Sequence, residues 1–169
     1  MKRVLLLAVI MALGISTLKA QTQLDEAKAK FIYNFTKFFD WPDSQSGGNF
    51  VIGVLGSDDV YDELSSYTKG KKVILQDIEV KRYNKPGQVS TCHILYVGED
   101  RTAALPSVKD QTGNNTLVIS DEEGGIQKGA ALNFVLMGNR LKYEFAPSNA
   151  MDQGLKFSSR IRDMAAKSY

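Results

Sequence analysis

Phe50-Val51-Ile52-Gly53-Val54-Leu55-Gly56 decides the architecture. The run carries no charge and no polar side chain, so it does not alternate as a half-exposed strand would, and it is too short for an ordinary buried helix. It reads as a strand covered on both faces. Cys92-His93-Ile94-Leu95-Tyr96-Val97 and Thr116-Leu117-Val118-Ile119-Ser120 repeat the pattern downstream. Strands of this kind sit in the middle of parallel sheets, with helices above and below. Two intervening segments supply helices: Asp58 to Tyr67, and a weaker one from Arg101 to Lys109 that contains Pro106. Val73 to Tyr83 reads as one or two strands interrupted around Gln76-Asp77.

Outward from this centre, Thr22 followed by Asp25 and Glu26 signals a helix start, and Ala27, Phe31, Phe35 and Phe38 recur at helical spacing. An amphipathic helix is expected from Leu24 to Phe39, anchored through Phe31, Phe35 and Phe38, with Lys28, Lys30 and Lys37 on its polar side. It ends near Trp41-Pro42, and a Ser/Gly-rich loop runs from Asp43 to Gly48. Its aromatic density calls for cover, either by the sheet or by a partner. Near the other end, Leu132 to Leu136 and Arg140 to Phe145 flank the turn Met137-Gly138-Asn139 and form a hairpin, which gives the sheet an antiparallel end. A short helix over Pro147 to Gln153 is stopped by Gly154, and Ser158 or Ser159 caps a final helix through Ala166. The order of elements describes one α/β layered domain, with a mixed, mostly parallel central sheet flanked by helices and a β-hairpin in the C-terminal half.

Met1 to Ala20 reads as a secretory signal peptide: Lys2-Arg3, then the apolar run Val4 to Gly14, then a polar stretch closed by Ala20 before Gln21. Cleavage after Ala20 leaves residues 21–169 as the working domain, in an exported, periplasmic setting without ready ATP or NAD. Of the 21 basic residues, Lys2, Arg3 and Lys19 leave with the signal, so 18 face 19 acidic residues. Dispersed charge of both signs gives no electrostatic footprint for nucleic acid or for an anionic membrane surface. Cys92, the lone cysteine, excludes an intramolecular disulfide and is expected to be a buried, inert thiol.

Acidic residues gather after the central strands, at Asp58-Asp59, Glu99-Asp100 and Asp121-Glu122-Glu123, the edge where α/β sheets take ligands. Asp58, Asp59, Asp121, Glu122 and Glu123 are therefore the candidate partner or ligand edge. Acidic loops are also ordinary helix starts and solvated turns. A magnesium-dependent or hydrolytic centre would need a base or nucleophile beside them, and none is identifiable. His93, the one histidine, adjoins a buried strand without a second imidazole, which suits a hydrogen-bonded structural role. Dinucleotide, Walker, Cys-x-x-Cys and nucleophile-elbow sequences are missing, so no catalytic, metal or cofactor residue is assigned.

Lys30-Phe31-Ile32-Tyr33-Asn34-Phe35-Thr36-Lys37-Phe38-Phe39-Asp40-Trp41-Pro42, the strands Phe50 to Gly56, Cys92 to Val97 and Thr116 to Asp121, the segment Asn133 to Phe145, and Gly154-Leu155-Lys156-Phe157-Ser158-Ser159-Arg160 together resemble the YfiR family of periplasmic regulators. The resemblance covers nearly the whole working chain. It implies a non-enzymatic protein that binds the extracytoplasmic domain of an inner-membrane signalling enzyme, a diguanylate cyclase or a sensor kinase, and holds it inactive. It also implies an outer-membrane partner that relieves inhibition by sequestering the regulator. Family members can self-associate, which admits a homodimer. Some are controlled through disulfides, which Cys92 alone cannot form. The other readings are a small-ligand module at the strand-end crevice near Gly56, Gly98 and Asp121, and a metal-dependent hydrolase with converging Asp58 and Asp121 carboxylates.

Overall fold

The computed structural model describes residues 21–42 and 45–169. The expected signal peptide, through Ala20, lies outside the described residues, as do Asp43 and Ser44 of the Ser/Gly loop.

The seven-residue run forms β2 (Phe50–Leu55), which lies inside the sheet with a strand on each side. It pairs in parallel with β4 (Gln76–Tyr83), where Ile52 faces Val80, and with β5 (Ile94–Val97), where Ile52 faces Ile94. β6 (Leu117–Ser120) continues the parallel array beside β5, followed by β7 (Leu132–Met137). β8 (Arg140–Phe145) then turns back antiparallel to β7, closing the hairpin expected from the sequence. Two short strands complete the sheet: β3 (Lys72–Val73) antiparallel to β4, and β10 (Lys167–Ser168) parallel to β8. The order across the sheet is β10-β8-β7-β6-β5-β2-β4-β3. A separate antiparallel pair joins β1 (Phe39–Asp40) to β9 (Lys156–Phe157).

Helices cover both faces, which is why the inner strands contain no polar alternation. On one side α1 (residues 21–35), α2 (Asp58–Thr68) and α5 (Ser159–Asp163) bury Ala29, Ile32, Phe35, Val60, Leu64 and Ile161 against Ile52, Val54, Ile94, Tyr96 and Phe134. On the other, α3 (Leu105–Thr112) buries Leu105 and Val108 against Leu55, Leu95, Val97, Val118 and Cys92. α4 (Pro147–Asp152) follows the hairpin. From β2 the chain moves to β4 on one side and returns to β5 on the other, so the carboxyl ends of β2 and β5 straddle the topological switch point.

Several expectations shift. Helix α1 ends at residue 35, short of Phe39, because Phe39 leaves the helix to pair with Phe157. Its core stripe is Asp25, Lys28, Ala29, Ile32 and Phe35, while Phe31 and Phe38 are half-buried beside it. Lys28 therefore belongs to the buried face, not the polar side. Pro106 lies in the first turn of α3, where a missing amide hydrogen costs nothing, and the preceding Glu99–Ala104 is 3₁₀. The hairpin turn is two residues, Gly138 and Asn139, since Met137 pairs with Arg140. The break in Val73 to Tyr83 falls at Ile74-Leu75, and Gln76-Asp77 begins β4. The final helix stops at Asp163, because the tail extends along β8: Ala166 N–H donates to Tyr143 O at 2.8 Å and Tyr169 N–H to Phe145 O at 3.0 Å.

Candidate functional site

The carboxyl edge of the sheet holds two clefts. Asp58 lines a small one of about 300 Å³, near Gly56, Tyr83, Asp100 and Arg101 at the switch point. Asp121 lines a larger one of about 760 Å³ beyond β5 and β6, with Lys28, Glu99, Glu123, Gln127, Asn133 and Glu144 around it. The structure thus separates Asp58 from Asp121. The hydrolytic arrangement considered from the sequence, with both carboxylates converging, does not form.

Asp58 and Asp59 have a local explanation. Ser57 caps α2, its side chain accepting from Val60 N–H at 3.2 Å, and the two aspartates occupy the first turn, where the helix dipole favours negative charge. Asp58 also pairs with Arg82 at 3.0 Å, both side chains exposed.

Asp121 is different, being the floor of the large cleft. It emerges at the end of β6 with its side chain 8% exposed, and Lys28 of α1, 10% exposed, places its ammonium 2.8 Å from Oδ2. Asp25, one turn earlier on the same helix face, lies 3.4 Å from that ammonium. Tyr96 of β5 donates its hydroxyl to the same Oδ2. Burial, then the neighbouring carboxylates, pushes the Tyr96 phenol well above its usual range, so it serves as a fixed proton donor. Among the described residues, Asp121 Oδ1 is buried and has no hydrogen-bond partner. Charges withdrawn from water persist only when answered at short range, and this network joins α1 to the ends of β5 and β6.

Glu122 and Glu123 sit on the rim. Glu122 pairs with Lys128 at 3.5 Å, and Glu123 is exposed on the cleft wall. The loop they open is held tight: a methyl group at Gly125 would fall 1.9 Å from Ser120 Oγ and 2.8 Å from Asn133 Oδ1. Of the five sequence candidates, two are surface helix-start residues, one is a buried floor and two are rim. Lys28, Asp25 and Tyr96 were not among them. The signal for Lys28 and Asp25 lay in their spacing, which is that of Ala29, Ile32 and Phe35 along one helix face.

His93 and Cys92 are engaged within the fold. His93 Nδ1 accepts from Val51 N–H at 2.9 Å and its Nε2 lies 3.0 Å from Gln45 O, which sets the tautomer with the proton on Nε2. Its ring stacks on Phe50 at 4.3 Å, and Trp41 Nε1 donates to its carbonyl at 3.0 Å. Cys92 is buried with its thiol pushed up to about 12, chiefly by burial. No group of three or more metal-ligating side chains is gathered among the described residues. No helix there is long and apolar enough to cross a membrane.

Fold and site together define a doubly wound α/β protein with an acidic-rimmed cleft at the carboxyl edge of its sheet. The chain belongs to the YfiR/HmsC-like family, whose pattern matches residues 25–166, and that family consists of periplasmic regulatory proteins. No curated protein matches the chain. Among solved structures it is similar to the ABC domain in complex with L-Trp from Streptococcus pneumonia, with 10% identity and a TM-score of 0.52, over 70% of this chain and 55% of that one. The chain spans about half the length of that structure, and the likeness is one of fold.

Proposed function

We propose that this chain is a periplasmic regulator that binds the extracytoplasmic domain of an inner-membrane signalling enzyme, a diguanylate cyclase or a sensor kinase, and holds it inactive. The match to the YfiR/HmsC-like family over residues 25–166 carries this reading. The mechanism requires no bond to be made or broken. A regulator that binds the inactive conformation better than the active one shifts the population by the difference in the two affinities. In this reading an outer-membrane partner withdraws the regulator by competing for it, and a homodimer is a further competing state.

The docking face assigned to the signalling enzyme is the acidic rim of the large cleft, Glu99, Glu123 and Glu144, above the rigid Lys28–Asp121 floor. Rim charges act mainly on association rate and its salt dependence. Glu99→Lys with Glu123→Lys should slow association with the enzyme's extracytoplasmic domain and flatten its ionic-strength dependence, while leaving the urea midpoint in place. Unchanged kinetics would remove the rim from the interface. Asp121 is unsuitable for this test, since reversing its charge would break a buried pair.

A second reading, a small-ligand effector site in the same cleft, is favoured by one observation: Asp121 lines the cleft, and beneath its surface the Asp121 Oδ1 is buried without a partner among the described residues. A ligand with a hydrogen-bond donor or an ammonium group would satisfy it. Saturable calorimetric binding of an amine, lost in Asp121→Asn with the fold intact, would support this role beside the regulatory one.

A further inference from the structure

The turn between β3 and β4, on the opposite edge of the sheet from the β7–β8 hairpin, is built against its own backbone. Val73 pairs with Gln76 and Lys72 with Asp77, leaving Ile74-Leu75 as a two-residue loop. Ile74 has φ +55°, at the position where such a turn calls for glycine, and a β-branched side chain there is strained. Ile74 is 91% exposed and Leu75 85%, more than any other large hydrophobic residue among those described. Neither the strain nor the exposure helps the fold. The loop is nevertheless firmly presented: Val73 beneath it is buried in the core, and the Gln76 amide donates to Gln45 O at 3.0 Å.

Cations gather beside this apolar tip. Lys69-Gly70-Lys71-Lys72 leads directly into it. The Lys71 ammonium lies 3.7 Å over the Tyr67 ring and 5.5 Å over Tyr33, and Lys37 of the segment after α1 lies 5.3 Å over the same Tyr33. Lys72 pairs with exposed Asp77 at 2.8 Å, and Lys81 further along β4 lies 3.6 Å from Glu79. Whole-chain charge balance, which shows no footprint for an anionic surface, averages this cluster away.

We propose that the Ile74-Leu75 tip anchors the protein on an anionic bilayer surface. The two aliphatic side chains enter the boundary between headgroups and acyl chains, Lys37, Lys69, Lys71 and Lys72 lie against lipid phosphates, and Tyr33 and Tyr67 sit at the interface. A protein partner would need a socket shaped to this two-residue knob and acidic groups spread around it. A lipid surface supplies both without shape matching, since its phosphates form a continuous layer of negative charge. Attachment would hold a regulator in the plane of a membrane-borne target, but the inference stands on the hairpin and is independent of that role.

The test is sedimentation of the purified protein with vesicles of phosphatidylglycerol and phosphatidylethanolamine, against vesicles of phosphatidylcholine. The protein should sediment with the anionic vesicles, and less so as salt rises. Ile74→Gly with Leu75→Ser installs residues that the turn prefers, so the urea midpoint should hold or rise while vesicle affinity falls at least tenfold. Lys69→Gln with Lys72→Gln should abolish the preference for phosphatidylglycerol. Failure of the unaltered protein to sediment with anionic vesicles would overturn the proposal, as would full vesicle binding by the turn variant. Loss of self-association or of a protein complex in the turn variant, with vesicle binding intact, would assign the tip to a protein interface instead.

Discussion

A lysine on the core-facing side of a helix survives only when its charge is answered, and Lys28 is answered by Asp121 at 2.8 Å and Asp25 at 3.4 Å. Lys28→Met removes the cation and leaves two buried carboxylates facing each other, which should cost about 3–5 kcal/mol. Urea denaturation measures this, and adding Asp121→Asn should recover part of the loss; a single-variant cost below about 1 kcal/mol would place the pair at the surface. Cys92 and Tyr96 make a second test by pH. Each holds its proton more firmly in the folded protein than in the unfolded chain, chiefly through burial. Their contribution is complete below the unfolded values, so stability should fall as pH rises from about 9 toward 12, the Cys92 window. Thiol labelling at neutral pH should be slow without denaturant and fast with it. Rapid stoichiometric labelling of the folded protein would contradict the burial of Cys92.

At the scale of elements, the central strands were legible because burial on both faces writes an uninterrupted apolar run, as in Phe50–Leu55 and Ile94–Val97. The β7–β8 hairpin was legible through Gly138, which takes φ +62° in the turn. What escaped reading depends on tertiary pairing or on residues that disguise their role. β10 exists because the tail meets the edge of β8, which no local pattern announces. Ile74-Leu75 hid a turn, since neither residue is a turn former. Asp121 looked like its neighbours Glu122 and Glu123, yet the end of β6 points it inward to Lys28 and Tyr96. The expected anchors Phe31, Phe35 and Phe38 divide by burial: Phe35 is 1% exposed, with its ring 5.1 Å from that of Tyr143, while Phe31 and Phe38 are only half-buried. Phe35→Ala should therefore lose about 3–5 kcal/mol in chemical denaturation, and Phe38→Ala distinctly less. Equal losses would mean that the helix packs as the sequence pattern alone suggested.

For the whole molecule, a buried ion-pair network ties helix α1 to the ends of β5 and β6, and an acidic rim surrounds the cleft above it. Asp58 and Asp121 lie in separate clefts, while the family match spans nearly the entire domain. These features favour a protein that acts by binding. Such a protein changes the activity of its target only through a difference in affinity for two states, so occupancy and inhibition must rise together. The target for the experiment is an inner-membrane signalling enzyme with an extracytoplasmic domain. The decisive measurement is that enzyme's turnover, reconstituted in vesicles, as the purified regulator is titrated in. The account predicts saturable inhibition whose midpoint coincides with the dissociation constant for the extracytoplasmic domain, and no turnover by the regulator itself. Undiminished enzyme activity at saturating regulator, or metal-dependent hydrolysis by the regulator that Asp121→Asn abolishes without unfolding it, would contradict the account.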